Sequence, residues 1–257
     1  MTRIITITNQ KGGVGKTTTA AALVCGLSQR NARVLGVDLD PQGSLGFSLG
    51  LDIENCDTMY EVLKGQASIE DVIVSTPYGD LLPSNIMLSA AELEFNRTGR
   101  EFMLREHLRK IQHNYDYIII DTPPALNVLT VNAYVAADSL IIPMVPEILS
   151  LLGVTQIKET IETVRKCYNE ELEVLGILLN KFSKRFTLSQ EVQEMAEQVA
   201  QQLGTHVFPT KIRSGVPAAA APAHGESVLT FAPESGPAVD YQQLVNHIMY
   251  ICPTERR

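Results

Sequence analysis

Lys16 and Thr17 close a glycine-rich run near the start of the chain, Lys11-Gly12-Gly13-Val14-Gly15-Lys16-Thr17-Thr18. An apolar stretch, Ile4 to Ile7, leads into it, and a helix-like stretch, Ala20 to Leu27, leads out. Strand, glycine-rich loop and helix in that order make a cradle for phosphate. Glycines let the backbone approach an anion with no Cβ in the way. The free N–H groups at the start of the following helix point at the anion, and the helix dipole favours it. A lysine at position 16 reaches the outer phosphates, and the Thr17 hydroxyl is a ligand for Mg²⁺. A solvated Gly/Lys-rich turn is the bland alternative, but it does not require this order of strand, loop, Lys-Thr and helix.

Two acidic strand ends are the next candidates. The apolar run Tyr117-Ile118-Ile119-Ile120 ends in Asp121-Thr122-Pro123-Pro124, and Val34-Leu35-Gly36-Val37 ends in Asp38-Leu39-Asp40-Pro41. Apolar runs of this kind suit strands buried on both faces of a parallel sheet. Ligands of open α/β sheets bind at the carboxyl ends of such strands. Asp121 there can hold a metal through water, or cap the next helix. Asp38 and Asp40 stand two apart, which puts both side chains on one face if the strand continues. One of them can then position an attacking water or hold the metal's shell, while the other reading of Asp38 is a hydrogen-bonded support for the loop.

Positioning these residues takes a series of alternating elements. Strands are expected at 4–8, 33–38, 81–83, 116–121, 139–144, 174–179 and 206–208. Helices are expected at 16–30, 60–64, 69–74, 88–94, 101–112, 127–136, 151–168, 188–203 and 239–251. Gly215 to Gly236, rich in Ala, Pro and Gly, reads as a long, partly ordered loop. Alternation of this kind predicts a doubly wound, mostly parallel sheet with helices on both faces. No internal repeat or linker divides the 257 residues, so a single domain over 1–257 is expected.

Composition narrows the class. The net charge of −8 argues against a histone-like nucleic-acid binder, so any DNA contact must come from a local or dimer-made patch. No apolar run approaches a membrane span, and Met1-Thr2-Arg3 runs straight into a core strand, with no signal peptide expected. Cys25, Cys56, Cys167 and Cys252 are far apart and do not have metal-ligand spacing; thiols in a reducing cytoplasm are the expectation.

The general P-loop pattern asks for glycine at position 10, where Gln10 stands, and the loop opens instead on an extra lysine, Lys11. Lys11-Gly12-Gly13-Val14-Gly15-Lys16-Thr17 resembles the deviant P-loop of the ParA/MinD ATPase superfamily. Asp38-Leu39-Asp40-Pro41-Gln42 resembles its switch I, and Asp121-Thr122-Pro123-Pro124 through Asn132-Ala133 its switch II. Leu178-Leu179-Asn180 and Phe208-Pro209 resemble its adenine contacts; Ala232-Pro233-Glu234-Ser235 and Tyr241 resemble its C-terminal pattern. With no DNA-binding extension ahead of the P-loop, the chain resembles the short, ParA/Soj-type members.

That resemblance implies a P-loop NTPase with ATP and Mg²⁺ as cofactors. It implies nucleotide contacts from Lys11, Gly12, Gly13, Val14, Gly15, Lys16, Thr17, Thr18, Asn180 and Pro209, and Mg²⁺ held by Thr17 and, through water, Asp121. Lys11, Lys16 and Asp40 would carry hydrolysis, with Lys11 reaching the phosphates of a second subunit. The implied function is a DNA-partitioning ATPase for a chromosome or plasmid. Its ATP-bound homodimer binds DNA without sequence preference and is released when a ParB-like partner stimulates hydrolysis. Lys181, Lys184, Arg185, Lys211 and Arg213 are the candidate DNA patch. The location implied is cytoplasmic, on the nucleoid when ATP is bound, with no membrane partner.

One departure stands out. Ala218 to Ala221 replace the glutamate and serine usual in relatives, which puts any partner contact there in question. Two alternatives share the loop. A MinD-like membrane-cycling ATPase would need a basic amphipathic C-terminal helix, whereas Pro253 stops the last helix here and the lysines of an anchor are absent. A metal-cluster ATPase would need a cysteine pair at a dimer interface, for which Cys25 and Cys56 are poor candidates.

Overall fold

The structure is a computed structural model; it describes residues 1–90, 94–95, 98–145, 148–182 and 187–254, with side chains outside 148–155 and 187–192. Seven strands form one sheet among the described residues: β1 Arg3–Ile7, β2 Val34–Asp38, β3 Val74–Thr76, β4 Gly79–Leu82, β5 Tyr117–Asp121, β6 Ser139–Met144 and β7 Glu173–Leu179. Their order is β3-β4-β2-β5-β1-β6-β7. All neighbours are parallel except the β3–β4 edge hairpin. That hairpin falls where the sequence suggests only a short strand at 81–83. At 206–208 the structure has a single bridge, Val207 to Ile177, rather than a strand.

The helices are α1 Lys16–Ser28, α2 Ser44–Ser48, α3 Met59–Lys64, α4 Ile69–Val72, α5 Met103–Ile111, α6 Val128–Ala136, α7 Ile148–Cys167, α8 Thr187–Gln202, α9 Val216–Ala220, α10 Val228–Phe231 and α11 Gly236–Ile251. The expected helix at 88–94 appears as a 3₁₀ turn over Ile86–Ala90, and residues 91–93 lie outside the described ones. The Ala/Pro-rich stretch 215–236 is not a loop. It folds into α9, a 3₁₀ turn over Ala221–His224, and α10. Alanine is the best helix former, and Pro217 and Pro222 sit in first turns, where a missing N–H costs nothing.

Side-chain alternation along the strands divides the core in two. Ile118 and Ile120 pack with α3, α5, α6 and α7 on one face. Tyr117 and Ile119 pack with α1, α10 and α11 on the other. Helix α1 lies between the sheet and α11, so it is buried nearly all round. Glycine makes both contacts close. A Cβ on Gly36 would lie 2.5 Å from Leu81 and 3.1 Å from Val24 of α1, and one on Gly26 would lie 2.6 Å from Val245 of α11. The far end of α11 is pinned as well, the Tyr117 hydroxyl donating to the Cys252 carbonyl at 2.8 Å. No helix among the described residues is long and apolar enough to cross a membrane.

Candidate active site

β1, β2, β5 and β7 end on the same side of the sheet, and the loops beyond them enclose a cleft of about 580 Å³. Its lining includes Gly12 to Thr18, Asp40, Pro124, Asn180 and Lys181. Gly13 and Gly15 carry φ of 74° and 91°, a region open to glycine at little cost. Gly15 caps α1 from this conformation and starts the helix at Lys16. A Cβ added to Gly12 or Gly13 would meet nothing within 4 Å, so their bare faces leave space for a ligand. A Cβ on Gly15 would lie 2.6 Å from Asn180 Nδ2, so glycine there is a packing requirement too.

Lys16 is only 7% exposed, and its Nζ donates to the Lys11 carbonyl at 3.2 Å. Burial pulls its ammonium below the usual lysine range, while the carboxylates of Asp121 and Asp40 oppose that shift. A polyphosphate in the cleft would compete with these carboxylates for the buried cation. The Thr17 hydroxyl donates to Asp121 Oδ2 at 2.7 Å, so the expected pair of metal-site residues meets. Asp121 is fully buried, and its other oxygen, Oδ1, has no hydrogen-bond partner. Burial pushes its carboxyl up to about 7, against the Thr17 hydrogen bond and the charge of Lys16. An orphaned carboxylate oxygen beside a threonine hydroxyl is a donor set that suits Mg²⁺. The residues present therefore fit both a polyphosphate and its metal ion.

Asp38 and Asp40 do not share a face, because β2 ends at Asp38 and strand alternation stops with it. Asp38 is buried under α2. Its Oδ2 accepts from Leu45 N at 2.8 Å and Gly46 N at 3.4 Å, and its Oδ1 from Asp40 N at 3.0 Å. Burial first, then the charge of Asp121, raises its carboxyl well above the usual range. It is the hydrogen-bonded loop support. Asp40, half-buried in the turn beyond, lines the cleft with Oδ1 accepting from Gln42 N at 3.0 Å.

Asn180 is 2% exposed. Its Nδ2 donates to the Val14 carbonyl at 2.9 Å, and its Oδ1 has no partner. Pro209 is exposed and outside the cleft lining; Ile212, Arg213, Ser214, Gly215, Ala218 and Ala219 line that side instead. Lys11 also lies outside the lining, its backbone N–H bonded to Asn9 Oδ1 at 2.9 Å.

The expected DNA patch divides. Lys181 belongs to the cleft, its Nζ donating to the Gly13 carbonyl at 3.0 Å. Arg213 lines the same cleft and is tied to Asp240 by Nε and Nη2, each at 2.8 Å from a carboxylate oxygen. Lys211 is half-buried, with Nζ 4.6 Å from the Phe182 ring centre and bonded to Gln193. Lys184 and Arg185 lie outside the described residues. Sequence reasoning missed Thr19, which accepts at Oγ1 from Asn180 at 3.4 Å and bonds Tyr241 at 3.1 Å. Its place in the Thr17-Thr18-Thr19 run was the available signal. Cys25 is fully buried, its thiol pushed up to about 11 by burial, so it is not at a surface where a second subunit could meet it.

Known proteins match this arrangement along nearly the whole chain. A family model described as an AAA domain matches residues 2–174. The sporulation initiation inhibitor protein Soj of Bacillus subtilis is 39% identical, over 96% of this chain and 98% of that protein. The chromosome partitioning protein ParA of Caulobacter vibrioides is also 39% identical, over 96% of this chain and 94% of its own. A crystal structure of cobyrinic acid a,c-diamide synthase from Mycobacterium smegmatis, with bound ATP analog and magnesium, superposes with a TM-score of 0.88. It is 36% identical and covers 100% of this chain and 97% of its own. With relatives of this kind matching over 96% of its length, the chain belongs to the ParA/Soj-type P-loop ATPases of the ParA/MinD superfamily.

Proposed function

We propose that this protein is a Mg²⁺-dependent ATPase switch that partitions DNA. The observation that carries the reading is one cleft in which Lys16, the Thr17–Asp121 pair and Asp40 converge on an open glycine cradle. Lys16 leaves the Lys11 carbonyl for the β- and γ-phosphates, where a desolvated cation acts more strongly than in water. Thr17 and, through a water, Asp121 would hold Mg²⁺. When bound, the metal neutralises developing phosphate charge. Asp40 orients the attacking water. Asn180 has its amide donors committed to Val14 and Thr19 and is left with an acceptor, which suits the 6-amino group of adenine and opposes the 6-oxo group of guanine.

ATP brings two subunits together across this cleft, with Lys11 acting on the phosphates opposite, and the dimer binds DNA without sequence preference. A ParB-like partner then stimulates hydrolysis and release. The names of the partitioning relatives support this cycle, and the setting it implies is the cytoplasm and its nucleoid. A MinD-like membrane cycle is the second reading. Against it, α11 buries Tyr241, Leu244, Val245 and Ile248 in the core, so that apolar face is not available to a bilayer. Phosphate release from ATP, with and without Mg²⁺, tests the activity. The reading requires slow, metal-dependent turnover that Lys16→Ala abolishes; turnover unchanged in that variant would place the chemistry elsewhere.

A further inference from the structure

Two consecutive residues beyond β7 grip two consecutive carbonyls of the P-loop. Asn180 Nδ2 donates to Val14 O at 2.9 Å, and Lys181 Nζ donates to Gly13 O at 3.0 Å. Lys181 does so from a left-handed backbone, φ 53°, which a lysine adopts when its surroundings hold it there. Each gripped carbonyl shares a planar trans peptide with the next N–H, so fixing the carbonyl turns that N–H to the opposite side. The Gly13 carbonyl sets the Val14 N–H, and the Val14 carbonyl sets the Gly15 N–H. N–H groups in this loop are what a phosphate would meet.

We propose that Lys181 is a positioning residue of the nucleotide site. Its ammonium holds the Gly13 carbonyl and so pre-sets the Val14 N–H, and its side chain closes one rim of the cleft. The proposal rests on the nucleotide-switch reading above. It takes Lys181 out of the DNA patch to which its sequence context assigns it. A brace on the loop serves diphosphate and triphosphate alike, whereas a cation on the γ-phosphate serves ATP alone.

Titration calorimetry with Mg-ATP and Mg-ADP on the parent, Lys181→Met and Lys181→Arg separates these roles. Lys181→Met keeps the alkyl stem and removes the charge. It is expected to weaken both nucleotides by about 5- to 20-fold, the scale of one partly exposed charge-assisted hydrogen bond. The ratio of the two Kd values stays within about twofold of the parent's, because the lost hydrogen bond is to the loop and not to either ligand. Lys181→Arg recovers most of the loss, and the nucleotide-free Tm of Lys181→Met falls by no more than ~2–4 °C, the scale of about 1 kcal/mol. Unchanged affinities in Lys181→Met, or a loss confined to ATP, overturn the brace. So does loss of DNA binding with nucleotide affinity intact. A parent that binds neither nucleotide overturns the switch reading itself, and with it this inference.

Discussion

Lys16 sits in a protein interior with no anion of its own beyond two carboxylates, and burial already weakens its hold on a proton. Lys16→Ala removes the one buried cation that lines the cleft among the described residues. Calorimetry should show ATP binding weaker by about 10- to 100-fold, the range for a hydrogen bond to a charged group. Asp40→Ala should behave differently, because among the described residues its carboxylate accepts a hydrogen bond from Gln42 N alone. Its ATP affinity should stay within about threefold of the parent's, while single-turnover hydrolysis falls by about 10² or more. Equal losses in binding and hydrolysis would make Asp40 a binding group.

Asp121 carries a pH signature of its own. Its carboxyl moves from 3.8 to about 7 in the fold, so between those values the folded state keeps a proton that the unfolded chain releases. Its contribution to stability is full below 3.8 and is lost as pH rises towards 7. The nucleotide-free parent should therefore lose more Tm between about pH 5 and pH 8 than Asp121→Asn does, at ~2–4 °C per kcal/mol. Parallel pH profiles for the two proteins would show that Asp121 ionises normally. At this scale the glycines, Lys16, Thr17 and Asp121 were legible because phosphate chemistry restricts residue type and spacing. Lys181 was not, because a lysine reads as surface charge until its side chain is seen on a loop carbonyl.

Elements hold the cleft open from behind. The Arg213–Asp240 pair ties the segment after β7 to α11, with Asp240 also accepting from the backbone N–H of Arg213 at 2.8 Å. Asp240 is 6% exposed, so Asp240→Ala leaves that part-buried N–H without its partner, while water meets the exposed guanidinium. Urea unfolding should show a loss of about 1–3 kcal/mol. A loss below a few tenths would mean water replaces the carboxylate. Gly26→Ala tests the α1–α11 contact. Its Cβ would come within 2.6 Å of Val245 and 2.9 Å of Leu229, and overpacking of this kind costs about 1–3 kcal/mol. The long strands and helices were readable from apolar runs and helical spacing. The β3–β4 hairpin, and α9 and α10 in the Ala/Pro stretch, were not. They are short, and their order comes from docking on α11 and the sheet rather than from a periodicity of their own.

Over the whole molecule, the described basic side chains expected on DNA are engaged around the cleft or half-buried, and the net charge is −8. In the proposed cycle, the DNA surface would be built by bringing two copies together, a step that nucleotide would control. In the proposed cycle the ATP-bound state, and not the ADP-bound or empty one, holds DNA. Gel-shift titration of one random-sequence duplex, at fixed low salt with Mg²⁺ and either ATP, ADP or no nucleotide, tests it directly. The account predicts a shift with ATP alone, lost in Lys16→Ala and prolonged in Asp40→Ala. Equal shifts in all three nucleotide states, or none with ATP, would contradict it.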